Sequence, residues 1–161
     1  MSRSPLSFHA SSPEATCAFA EALGARLAPG DAVLLTGPVG AGKSHFARCL
    51  IAALLTAPED IPSPTFTLVQ SYAGRSGEIW HADLYRLADS SEIAELGLEE
   101  AFDTAICLVE WPDRLGDAAP ADALAIRFAP GPGESDRELT LTWEDPRWAA
   151  RLEGLAERVH G

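Results

Sequence analysis

Lysine is almost missing from this chain. Its 161 residues carry 24 acidic side chains against 12 Lys or Arg, a formal net charge of −12, and Lys43 is the sole lysine beside eleven arginines. A surface that grips nucleic acid unaided shows a basic patch. This one repels phosphate backbones overall, which weakens the case for solo nucleic-acid binding without excluding a place in a complex whose partner supplies the positive surface. Cysteine is also scarce: Cys17, Cys49 and Cys107 fit neither a metal nor a redox spacing. All three lie in apolar periodic stretches and read as small buried hydrophobes of a reduced, cytoplasmic protein. No apolar run approaches the ~18 residues of a membrane-spanning helix. The start, "MSRSPLSFHASS", has neither the charged beginning nor the apolar stretch of an export signal.

What remains has an ordinary apolar fraction of 47% and the length of one domain, residues 1–161. Strands and helices alternate along it. "LSF" reads as a short edge strand. "SSPEATCAFAEALGARLA" places Ala15, Phe19, Ala22 and Leu23 at helical spacing, capped either by Ser11 with Glu14 or by Ser12 with Pro13 at the first position. "AVLLT" is a strand without alternation, as expected when both faces are covered. "KSHFARCLIAALLT" is a second helix, ended by the three prolines of "APEDIPSP". "TFTLVQSY" and "EIWHADLY" flank "AGRSG" as a hairpin. "DSSEIAELGLEEAF" is a short helical region, "AICLVEW" a buried strand, and "DALAIRF" and "RELTLTW" two more strands. A last helix sets Trp148, Leu152, Leu155 and Val159 beside a basic stripe of Arg147, Arg151 and Arg158, either a solvated face or a docking surface. The pattern predicts an α/β fold of the P-loop NTPase class: a mixed, mostly parallel sheet flanked by helices, with antiparallel hairpin additions.

Between the first covered strand and the second helix stands "GPVGAGKSH", in which Gly37, Gly42, Lys43 and Ser44 satisfy G-x-x-x-x-G-K-[ST]. The loop Gly37, Pro38, Val39, Gly40, Ala41, Gly42, Lys43, Ser44 and His45 is predicted to hold a nucleotide. Glycines let backbone N–H groups turn toward the β-phosphate, and the helix adds its positive end. Lys43 bridges the β- and γ-phosphates, and Ser44 completes the shell of a Mg²⁺ ion. A chain that otherwise uses arginine kept a compact ammonium here, where a planar guanidinium would not seat between phosphates.

Such a loop needs a carboxylate at the tip of a neighbouring strand. Glu110 ends the apolar run "AICLVE", and Asp83 in "HADLYRL" is the second candidate, a metal partner through water or the group that orients the attacking water. His81 precedes it by two and shares its strand face, reading as a core or hydrogen-bonded histidine. "SPTFTL" lies one helix after the loop and reads either as an ordinary turn or as a switch segment that reaches over a γ-phosphate, where Thr65 offers a hydroxyl and Pro64 restrains the approach.

"SPTFTL", "HADLYRL", "ELGLEEAF" and "CLVEWPDR", in this order after "GPVGAGKS", resemble the bacterial threonylcarbamoyladenosine biosynthesis ATPases, the TsaE (formerly YjeE) family, from about residue 10 to residue 142. The resemblance implies a small Mg²⁺-dependent ATPase, weak alone, that joins partners of the TsaD and TsaB type making N6-threonylcarbamoyladenosine beside the tRNA anticodon. ATP hydrolysis then resets the partner complex, and tRNA is touched only indirectly. Carried over by residue, it implies Lys43 on phosphate, Ser44 and Glu110 on Mg²⁺, Thr65 in the switch segment, Asp83 in hydrolysis, and Trp111 as a packed neighbour shaping the site. The chain departs from the family's usual G-D-L-G-A-G-K-T at Pro38, Val39 and Ser44; serine ligates Mg²⁺ as threonine does. Ser12, Asp136 and Arg137 are the candidate adenine contacts.

Two other functions use the same loop. A small-molecule or nucleoside kinase carries an arginine-bearing lid, and "APEDIPSP" and "AGRSGE" are too short and too poor in arginine to form one. A nucleotide-gated binding module would show negligible turnover even with its partners. GTP specificity is disfavoured, because an N-K-x-D signature needs a second lysine.

Overall fold

Hydrophobic residues cover both faces of a seven-stranded sheet in this computed structural model, which describes residues 5–38, 40–57, 61, 68–85, 87 and 92–155. In chain order the elements are β1 (Leu6–Ala10), α1 (Pro13–Gly24), β2 (Ala32–Thr36), α2 (Lys43–Leu54), β3 (Val69–Gly74), β4 (Gly77–Asp83), α3 (Glu92–Leu96), α4 (Leu98–Thr104), β5 (Ile106–Glu110), β6 (Leu124–Pro130), β7 (Arg137–Thr142) and α5 (Arg147–Leu152). A 3-10 turn over Pro112–Ala118, not foreseen from the sequence, follows β5.

The strand order is β1-β7-β6-β2-β5-β4-β3. The four central strands β6, β2, β5 and β4 pair in parallel, and the two antiparallel hairpins β3–β4 and β6–β7 extend the sheet to either side. β1 closes one edge antiparallel to β7, so only β3 and β7 run against the rest. β1 is thus the edge strand read from "LSF". β2 and β5 lie in the middle, which is why neither alternates.

Alternation reappears across the sheet rather than along the composition. On β5, Ile106 and Leu108 enter the core under α1, α2 and α5, while Cys107 and Val109 enter the core under α3 and α4. On β4, Ile79 belongs to the first core and Trp80 and Ala82 to the second. The two-residue period therefore brings His81, Asp83 and Glu110 to the face covered by α2.

α1 starts at Ser12, whose hydroxyl accepts from the Ala15 N–H at 3.1 Å with Pro13 at the first position; of the two caps open in the sequence, this is the one formed. α1 and α2 are joined by a disulfide between Cys17 and Cys49, with Cα atoms 5.3 Å apart. The expectation of three unpaired cysteines therefore fails for two of them: residues 32 apart in sequence meet only once the helices pack. Cys107 alone is a free buried thiol, its pKa pushed up to about 12 chiefly by burial.

The basic stripe of the last helix turns inward. Arg147 reaches Asp31 at 3.3 Å, Asp122 at 3.2 Å and Asp145 at 2.9 Å, and Arg151 also pairs with the buried Asp31. Both guanidiniums lie against the Trp148 ring, whose Nε1 donates to the Asp122 carbonyl at 2.7 Å. These two arginines are a clamp that seats α5, neither a solvated face nor a docking surface; Arg158 and Val159 lie outside the described residues.

Candidate functional site

The loop from β2 to α2 is shaped by what crowds it. Gly37 has φ +143°, and a Cβ there would come within 2.6 Å of the Phe128 carbonyl oxygen on β6. Gly42, at φ +99°, opens α2 without any side-chain cap, so no capping side chain takes up the helix's first N–H groups. The Ala41 N–H donates to the Pro38 carbonyl at 3.1 Å, tightening the turn, and Gly40 lies between them at φ +85°. Val39 and the segment with Pro64 and Thr65, expected from the sequence to act as a switch, lie outside the described residues.

Lys43, the sole lysine, is 5% exposed. Its Nζ donates to the Gly37 carbonyl at 2.6 Å and sits 3.7 Å from the centre of the Trp111 ring. Burial pulls its pKa down, and the carboxylates of Glu110, Asp83 and Asp113 oppose that pull. Trp111 reaches this position through a left-handed backbone, φ 59°, uncommon for an aromatic residue. Its other neighbour is Tyr85, ring centres 5.0 Å apart, which is 51% exposed at the rim.

Beside the lysine, Ser44 Oγ donates toward both oxygens of Glu110, at 2.9 and 3.1 Å. Glu110 is 2% exposed and also accepts from His81 Nε2 at 2.7 Å. Asp83 lies opposite Glu110 in the β4–β5 register. Burial is the main cause that holds the Asp83 carboxyl above its ordinary range; the Tyr85 N–H bond lowers it and the Glu110 charge raises it further. Lys43, Ser44, His45, Asp83, Glu110 and Trp111 all border one cavity of about 400 Å³.

A second cavity of about 530 Å³ opens on the other side of Gly42 and His45, walled by Pro13, Thr16, Glu134, Ser135 and Arg137. Of the three residues assigned to adenine from the sequence, Arg137 borders this space. Ser12 spends its hydroxyl on the α1 cap. Asp136 folds into its own turn, accepting from the Gly133 N–H at 3.1 Å and pairing with His9, so it is not a wall of the cavity. Arg137 does more than line it: Nε donates to the Ala41 carbonyl at 3.1 Å and Nη2 to the Gly40 carbonyl at 3.3 Å, bracing the loop from β7. His45 Nε2 donates to the Pro13 carbonyl, 3.0 Å away, which ties α2 to the start of α1.

A glycine loop running from a central parallel strand into a helix, with a buried lysine, a helix-borne hydroxyl and a strand-end carboxylate, defines the P-loop NTPase class of fold. The comparisons narrow this. The family model for "Threonylcarbamoyl adenosine biosynthesis protein TsaE" matches residues 10–139. The chain is 40% identical over 117 residues to the tRNA threonylcarbamoyladenosine biosynthesis protein TsaE of Rickettsia bellii, covering 73% of this chain and 81% of the relative. It is 36% identical to that of Bacillus subtilis over 145 residues, 89% of each. The crystal structure of Bacillus subtilis YdiB superposes with a TM-score of 0.78 at 30% identity, covering 98% of this chain and 99% of that one. The chain belongs to the TsaE family of tRNA threonylcarbamoyladenosine biosynthesis proteins.

Proposed function

We propose that this protein binds Mg²⁺·ATP in the loop Gly37–Ser44 and hydrolyses it as an accessory subunit of the cytoplasmic assembly that makes N6-threonylcarbamoyladenosine in tRNA. The observation that carries the reading is the part-buried contact of the Ser44 hydroxyl with the buried Glu110 carboxylate, directly beside Lys43. Those two side chains supply hard oxygen donors suited to magnesium. No group of three or more His, Cys, Asp or Glu able to hold a metal occurs among the described residues. Magnesium commonly takes few protein ligands and completes its shell with water and phosphate oxygens, so a site built from one hydroxyl and one carboxylate fits it.

In this reading the first N–H groups of α2 and the loop amides hold the β-phosphate, and Lys43 leaves the Gly37 carbonyl to neutralise the β/γ oxygens. Ser44 and Glu110 hold the Mg²⁺ ion, which when bound draws charge from the transferring phosphoryl group. Asp83, whose carboxyl is held above its ordinary range, accepts a hydrogen bond from the attacking water and orients it. Trp111 covers the lysine and limits water around it. The base and ribose extend past Gly42 and His45 into the space bordered by Thr16 and Arg137.

Because the chain is acidic, tRNA is handled by the partners, taken here as proteins of the TsaD and TsaB type, and hydrolysis resets their complex. No helix among the described residues is long and apolar enough to cross a membrane. Calorimetric titration of the pure protein with ATP and magnesium tests the binding claim, with Lys43→Ala as the control that loses most affinity. Turnover is then measured with and without the partner pair. Flat titrations refute the reading, and binding with no turnover even beside the partners reduces it to a nucleotide-gated binding module.

A further inference from the structure

The candidate machinery above leaves one buried polar side chain without a task. His81 is fully buried in β4, its Nε2 lies 2.7 Å from Glu110 Oε2, and its Nδ1 is buried with no hydrogen-bond partner among the described residues. A buried imidazole with an unpaired nitrogen is a costly way to fill space that an apolar ring could occupy. The carboxylate explains the choice. An ionised carboxylate only accepts, so Nε2 must carry the hydrogen, and Nδ1 is left as a bare lone pair. The other tautomer would set two acceptors face to face and strand a buried N–H.

We propose that His81 is a positioning residue for Glu110: its Nε2–H holds Oε2 so that Oε1 stays beside Ser44, ready for a magnesium ion. The inference rests on the reading of Glu110 as a metal-site residue and adds the group that fixes its orientation. The cause is visible in the register. His81 and Asp83 share one face of β4, and Glu110 sits beside Asp83 on β5, so the histidine reaches the carboxylate from beneath while the cavity opens above. Metal ligands are commonly oriented in this way by a second hydrogen-bonded group.

The first measurement uses the unaltered chain. Nitrogen-15 spectra of the labelled imidazoles should show His81 with hydrogen fixed on Nε2, with and without Mg²⁺ and ADP; a proton resident on Nδ1, or a rapid mixture, overturns the proposal. The second uses variants and follows magnesium binding to the ADP complex by titration calorimetry. His81→Gln, which can place an N–H near the Nε2 position, should stay within about threefold of wild type, whereas His81→Phe should weaken magnesium by about tenfold or more. ADP affinity in a chelator should not change in either. Wild-type magnesium affinity in His81→Phe overturns the proposal. Should Glu110→Gln also leave magnesium binding intact, the fault lies with the reading of Glu110 itself. The tautomer result stands even where the Phe variant does not fold.

Discussion

Replacing Glu110 by glutamine removes one charge and almost no volume, and the surrounding hydrogen bonds decide how the amide sits. His81 Nε2 donates to Oε2, so the amide oxygen must occupy that position; an NH₂ there would force the histidine to move its hydrogen to the partnerless Nδ1. The NH₂ then falls at the Oε1 position, 2.9 Å from Ser44 Oγ, which can rotate and accept. Both hydrogen bonds onto this side chain are kept, so the fold should lose no more than about 1 kcal/mol, a Tm change of a few degrees for a chain of this size.

Nucleotide binding separates by metal. Without magnesium, the variant removes a negative charge beside the lysine that meets the triphosphate, so ATP in a chelator should bind as well as to wild type or better. With magnesium, a carboxylate contact to the ion or its water is lost, about 1.5–3 kcal/mol for a charged hydrogen bond, or roughly 10- to 150-fold in affinity. Calorimetry with ATP, first in chelator and then across a magnesium series, reads both effects. Opposite signs in one variant cannot come from partial unfolding. If Glu110→Gln and wild type show the same magnesium dependence, Glu110 is not part of a metal site and the reasoning fails.

Three further outcomes are expected. Asp83→Asn should keep nucleotide affinity and slow hydrolysis, and it should raise the melting temperature of the nucleotide-free protein at neutral pH. The sign follows from the raised pKa: the unfolded chain gives up this proton first, so stability falls as pH climbs from the ordinary value of 3.8 through the folded one, and asparagine removes that loss. Melting curves across pH check it; a neutral-pH destabilisation by asparagine refutes it. Gly37→Ala should cost about 1–3 kcal/mol and loosen nucleotide binding, because its Cβ meets the Phe128 backbone oxygen at 2.6 Å. Gly40→Ala, with nothing within 4 Å among the described residues, should cost only the ~1 kcal/mol of its positive φ, and denaturant titration of the pair checks the contrast. Reducing the Cys17–Cys49 bond should cost up to about 3–4 kcal/mol for a separation of 32 residues, measured by melting with and without reductant against a double serine variant. Identical melting in all three states would mean the bond is not formed in solution.

How far the sequence reached depended on whether the relevant physics was local. The loop, β2 from Ala32 to Thr36, and the acid ending β5 are all written within a dozen residues of each other or of a turn, and period-two alternation already placed His81 and Asp83 on one face. The α1 cap stayed open between Ser11 and Ser12, because both spacings satisfy a cap and only the backbone angle decides. Long-range pairings were beyond reach. Arg137 braces Ala41 across 96 residues, Arg147 meets Asp31 across 116, and neither separation leaves a periodic mark. Asp136 shows the opposite case: the sequence offers it as a candidate adenine contact, while its carboxylate accepts from its own Gly133 N–H, three residues away.

The same division explains why His81 was legible only as a hydrogen-bonded histidine and not as Glu110's partner. Its partner lies 29 residues away on the adjacent strand, and the contact exists because β4 and β5 are parallel neighbours in register. A hairpin alone would have left β4 an edge strand with His81 facing no carboxylate. The insertion of β3–β4 beside β5 thus does two things at once. It supplies Asp83 next to Glu110, and it places an imidazole where an acceptor-only side chain dictates its tautomer. Geometry that a sheet imposes across strands, rather than any motif along one, sets the orientation of the carboxylate on which the proposed magnesium chemistry depends.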